Sequence, residues 1–178
     1  MDADEATKRQ VLIHAKDESR HSRLFVRLTE LAFPQTAVEL LEANRAYEGM
    51  NGLARLRPAG GDRRLSGKAF IDHMLQMNMG EIRTRIHMHL LAPSVHAFAP
   101  EESKDEVGRI LTGLVQDEVR HISYTATLIE KFASEGEFEG LNSLYRSRLR
   151  DFNALTFEQT KSAAAEYGQG LFPELLRI

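Results

Sequence analysis

The sequence predicts an all-α protein, a bundle of about five helices forming a single domain over its 178 residues. Three observations lead there. Proline and glycine clusters cut the chain into segments of helical length, and apolar residues within the segments recur at steps of three and four. No stretch alternates apolar and polar residues between hairpin turns, as strands would.

The first helix is expected near 4–32, closed by Pro34, because Val11, His14, Glu18, His21, Phe25 and Leu28 share one stripe. A second, near 36–56, ends before Pro58 and Gly60-Gly61. A third, near 67–91, carries Phe70, Met74, Met77, Glu81, Met88 and Leu91 on one stripe and stops ahead of the stretch from Pro93 to Pro100. The fourth, near 102–133, repeats the first pattern with Val107, Leu111, Leu114, Glu118, His121, Thr125, Leu128 and Phe132. SEGEFEG, from Ser134 to Gly140, separates it from a fifth helix near 138–166, which the stretch from Gly168 to Pro173 ends. Such stripes are what bundle helices turn towards one another.

Composition narrows the function. Hydrophobic residues make up 42% and charged residues 28%, as in ordinary globular proteins. A net charge of −3 gives no reason to expect nucleic acid or a membrane surface as partner. The basic stretches from Arg63 to Lys68 and from Tyr145 to Arg150 read as solvated faces. The N-terminus lacks the apolar core of a secretory signal and no apolar run reaches spanning length, so a cytoplasmic location is expected. With no cysteine, thiolate nucleophiles and Cys-ligated zinc or iron–sulfur sites are excluded. A metal in this chain has only histidines and carboxylates to hold it.

Two five-residue stretches then stand out. DESRH, Asp17 to His21, returns as DEVRH, Asp117 to His121. On a helix, residues three apart lie about 60° round and one turn along, so the Glu and His of each copy can reach a single point. A lone Glu-x-x-His is most often exposed helix surface. Here both copies fall on apolar stripes, where a carboxylate costs several kcal/mol unless compensated, and a divalent cation compensates it directly. Glu81, the acidic member of the third stripe, precedes Glu118 by one helix, a turn and a return to the same height. The bland alternative is a core of hydrogen-bonded Glu–His pairs without metal, which is costly when incompletely satisfied.

The doubled Asp-Glu-x-Arg-His, with a Glu some way before it, resembles the ferritin-like di-iron carboxylate proteins, and within them the p-aminobenzoate N-oxygenase branch. The resemblance covers the first, third and fourth helices. It implies a ferritin-like antiparallel bundle and a pair of metal ions, two Fe or Fe with Mn. Carried over, Glu18, His21, Glu81, Glu118 and His121 become metal ligands. Asp17 and Asp117 orient the ligand imidazoles, and Arg20 and Arg120 pair with those carboxylates. Two departures remain. A fourth carboxylate, expected ahead of Asp17, would fall before residue 1: an N-terminal helix is missing, the site is asymmetric, or Glu42, Glu48, Glu158 or a second subunit of a homodimer replaces it. The N-oxygenase branch also adds a histidine one turn before the second motif. Leu114 occupies that place here and His14 the matching place in the first motif, so His14 is either a sixth ligand or a core histidine.

The function so implied is a non-haem di-metal oxidoreductase or oxygenase activating dioxygen or peroxide. It would act on a small-molecule substrate and draw electrons from a reductase. Metal binding or storage without turnover, and a degenerate helical scaffold or ligand-binding module, are the alternatives. With Glu81 beside the second motif, the Glu118–His121 half is expected to bind metal more tightly, with His14 compensating the first half. His73, His87 and His89 are expected at the surface or between helices, and His96, in a proline-bounded connection, has no role assigned to it. The methionines of the third helix are expected in the core, as adaptable apolar filler.

Overall fold

Asp4 starts the first helix. Its side chain accepts from the backbone N–H of Thr7 at 2.8 Å, satisfying one of the donors every helix N-terminus leaves open. From this cap α1 runs over Glu5–Ala32. The computed structural model describes residues 4–35, 37–38 and 67–166. Beyond α1 it contains α2 (Gly67–Phe98), a 3₁₀ turn (Glu101–Ser103), α3 (Lys104–Phe132), a π-type turn (Ala133–Glu137) and α4 (Phe138–Glu166). The fold is all-α, with no strand among the described residues. The helix expected near 36–56 lies outside them except for Ala37 and Val38, which are helical.

Side-chain contacts fix the directions. His14 meets Tyr124, Asp17 meets His121, His21 meets Asp117 and Arg27 meets Glu106, so α1 and α3 run antiparallel. Asn78 of α2 donates to the Ile122 carbonyl at 3.0 Å and to Thr125 Oγ1 at 2.9 Å, while Met88 shares a cluster with Leu114. The helices α2 and α3 are therefore also antiparallel. By contrast α4 runs parallel to α2, since Asp72 pairs with Arg148 and Arg83 with Gln159. Gly136 makes the corner between α3 and α4 at φ +98°, a conformation open to glycine because it has no Cβ.

Two apolar clusters bracket the middle of the bundle. At one end Leu28, Leu31, Met88, Val107 and Leu114 pack together; at the other Ile71 and Leu75 pack with Leu141. Each fully buried Leu or Met contributes roughly 1.5–3 kcal/mol relative to exposure. Between the clusters, α1 and α3 turn histidines and acids inward instead.

The structure corrects three expectations. The third helix does not stop ahead of Pro93 but continues to Phe98. Proline removes a helix hydrogen bond and crowds the preceding turn, yet packing holds the end in place. Val95 lies against the core, Ala99 is buried, and the Phe98 ring stands 5.8 Å from that of Phe33. Second, the buried stripe of α1 is narrower than the expected seam. Thr7, His14, His21 and Leu28 are buried at seven-residue spacing, whereas Glu18 and Phe25 are exposed. A helix touching its neighbours along one line buries about one position every two turns. Leu91 of α2 is likewise exposed.

Candidate metal centre

The antiparallel pairing of α1 and α3 sets each copy of the repeated motif against the other, crosswise. His21 Nε2 lies 3.0 Å from Asp117 Oδ2, and His121 Nε2 lies 3.2 Å from Asp17 Oδ2. Each aspartate thus takes the Nε2 proton of the opposite imidazole and turns that ring's Nδ1 towards the glutamates. Arg20 donates to Asp17 at 3.1 Å and also to Asp117. Arg120 mirrors it, reaching Asp17 at 3.1 Å and pairing with Asp117. Burial alone would raise both aspartates, but their His and Arg partners outweigh it and hold them below the usual carboxylate range. The Asp, Arg and His of each repeat now have a structural reason.

The two Nδ1 atoms face carboxylates. His21 Nδ1 lies 3.2 Å from Glu18 Oε1 and 3.5 Å from Glu118 Oε1. His121 Nδ1 lies 3.6 Å from Glu81 Oε2 and 3.8 Å from both Glu118 Oε2 and Glu18 Oε1. Glu118 therefore offers one oxygen towards each imidazole. His14 joins through Nε2, 3.1 Å from Glu81 Oε1 and 3.6 Å from Glu18 Oε1. Donor atoms group into two sets, each within 4.8 Å: His14, Glu18, Glu81 and His121, and Glu18, His21 and Glu118. Glu18 belongs to both.

Burial is uneven. Glu118 is 1% exposed and His121 2%, while the Glu18 side chain is 53% exposed, so only one of the two repeated glutamates lies in the core. Glu118 Oε2 and His121 Nδ1 are fully buried and lack a hydrogen-bond partner among the described residues. Native interiors rarely tolerate such atoms without water or an ion. Burial, with the Glu81 carboxylate beside it, pushes Glu118 up to about 7. Hydrogen bonds from His14 and His21 bring Glu18 down to about 2. Burial would also raise Glu81, but His121 and His14 hold it below its ordinary value. Both histidines are desolvated, yet their acidic neighbours lift His14 to about 9 and His121 to about 10. Three carboxylates so crowded take up positive charge, from protons or from a cation.

Most of the expected residues meet at this point: Glu18, His21, Glu81, Glu118 and His121, with His14, Asp17, Asp117, Arg20 and Arg120 round them. His14 joins Glu18, Glu81 and His121, and so stands on the His121 side and not in the donor set of His21, the half it was expected to complete. The side chains of His73, His87, His89, His96 and Glu158 are exposed, and Glu42 and Glu48 lie outside the described residues. Two contributors escaped the sequence reading. The Tyr124 hydroxyl stands 2.7 Å from His14 Nδ1, and Asn78 ties α2 to α3 one turn before Glu81. Tyr124 lies three residues beyond His121, close to the same helix face, which was its available signal.

Comparison of the chain with protein-family models, with curated proteins and with solved structures finds no match.

Proposed function

We propose that this chain is a ferritin-like metal protein, a non-haem oxidoreductase that holds two iron ions, or iron with manganese, and activates dioxygen or peroxide. The observation carrying this reading is the pair of facing Glu-x-x-His motifs, whose buried Glu118 Oε2 and His121 Nδ1 lack a hydrogen-bond partner among the described residues. The donor chemistry fits: imidazole and carboxylate together suit iron and manganese, and no thiolate competes. Bound there, such ions would supply the electron-transfer chemistry towards oxygen that no side chain of this protein has. His21 and His121 would ligate through Nδ1, their rings held by Asp117 and Asp17. Glu18, Glu81 and Glu118 would hold the ions together with these imidazoles. Arg20 and Arg120 each pair with both aspartates and keep them ionised, so that the histidines stay oriented.

The test loads the metal-free protein anaerobically with Fe(II), then admits oxygen with and without a reductant while oxygen uptake is recorded. Repeated uptake that depends on reductant is expected. Metal bound without repeated uptake would replace this reading with binding or storage, and no metal bound would leave a helical scaffold.

A further inference from the structure

The two halves of the centre are chemically unequal. Around His121 stand two imidazoles and two carboxylates; around His21 stand one imidazole and two carboxylates. Glu81 lies between the first pair, its Oε1 3.1 Å from His14 Nε2 and its Oε2 3.6 Å from His121 Nδ1. The two rings are stacked, centroids 3.7 Å apart and planes 13° from parallel, so they present their nitrogens side by side. His14 is 4% exposed, and its far nitrogen is engaged by the Tyr124 hydroxyl at 2.7 Å. Tyr124 also meets the His14 ring edge-on at 5.7 Å, which restricts its rotation. With His14 ligating through Nε2, the ring's remaining proton sits on Nδ1 and is donated to the Tyr124 oxygen. The other half has no second imidazole, and its Glu18, half open to solvent, is shared between the two.

We propose that His14, positioned by Tyr124, makes the His121 side a four-donor, two-imidazole position that fills first and more tightly, leaving the His21 side to take the second ion. This rests on the two-metal reading above and adds order and selectivity to it. Imidazole favours the later first-row ions and carboxylate the harder ones, so the His121 side discriminates more strongly against manganese. Tyr124 acts only through His14. Its removal changes the affinity of one ion and spares the other.

Cobalt(II) is the probe, because its visible absorption reports each binding event and its ligand preferences lie close to those of ferrous iron. The metal-free full-length chain is titrated and followed by absorption and calorimetry. Wild type is expected to show two events at least about tenfold apart in Kd. Tyr124→Phe, nearly equal in volume, is expected to weaken the first event about tenfold or more and leave the second unchanged. His14→Gln is expected to bring the two affinities together. Two equal affinities in wild type, or a first event unmoved in variants whose circular dichroism matches wild type, overturns the proposal and leaves the two-metal reading standing. A wild-type protein that takes up no cobalt overturns both.

Discussion

Asp117 holds His21 across the helix interface, and Asp17 holds His121, each within 3.2 Å. Neither aspartate is among the donor sets, yet each decides which ring nitrogen faces the centre. Asp117→Asn keeps the shape and removes the charge that favours the Nδ1-ligating form. The expected outcome is a loss of about 10–100-fold in Mn(II) or Fe(II) affinity, measured by equilibrium dialysis, with the helical circular dichroism spectrum unchanged. At this scale the sequence was informative because charged residues at core positions are rare and have few innocent explanations. Glu118, His21 and His121 were legible for that reason, as were the aspartates once the repeat was noticed. Tyr124 was not, because a tyrosine near an apolar stripe is ordinary core and only its distance to His14 gives it a role.

At the scale of the helices, α3 is the axis on which α1 and α2 pack, while α4 packs on α2. Leu114, fully buried between Leu28 and Met88 in the apolar cluster, is the residue on that axis whose truncation opens a cavity. Leu114→Ala should cost about 2–5 kcal/mol in urea unfolding without removing any metal donor. The α2–α4 pairing depends on a different kind of contact. Arg148 donates to both Asp72 oxygens at 2.6 Å, and this holds the Asp72 carboxyl below its ordinary 3.8. An acid with a lowered folded pKa contributes stability that is present above 3.8 and is lost as pH falls through the folded value. The pair is partly exposed, so its worth is about 1 kcal/mol or less. Asp72→Asn should therefore destabilise at neutral pH, with the difference from wild type closing below about pH 4 in thermal melts. The order of the described helices was legible from breakers and periodicity. The end of α2 was not, because proline is a local signal and the contacts of Val95, Phe98 and Ala99 that override it are tertiary. Nor was the width of the α1 stripe, which depends on how many neighbours a helix has.

For the molecule as a whole, three glutamates and three histidines drawn from three helices share one centre, so a metal ion held there would link binding to folding. A cation that binds only the folded protein stabilises it by about 2.7 kcal/mol when present at one hundred times its Kd. Added Fe(II) or Mn(II) should accordingly raise the melting temperature at pH 7 by several degrees. The gain should shrink on acidification as protons compete for the same donors. The measurement that bears most directly on the central claim is metal content. Wild type and Glu118→Ala are dialysed anaerobically against Fe(II), and iron is counted by elemental analysis against protein concentration. The account predicts two ions per chain in wild type and a marked loss in the variant, because Glu118 supplies an oxygen towards each imidazole. A wild-type chain that retains no iron, or a Glu118→Ala chain that retains as much as wild type, would contradict it.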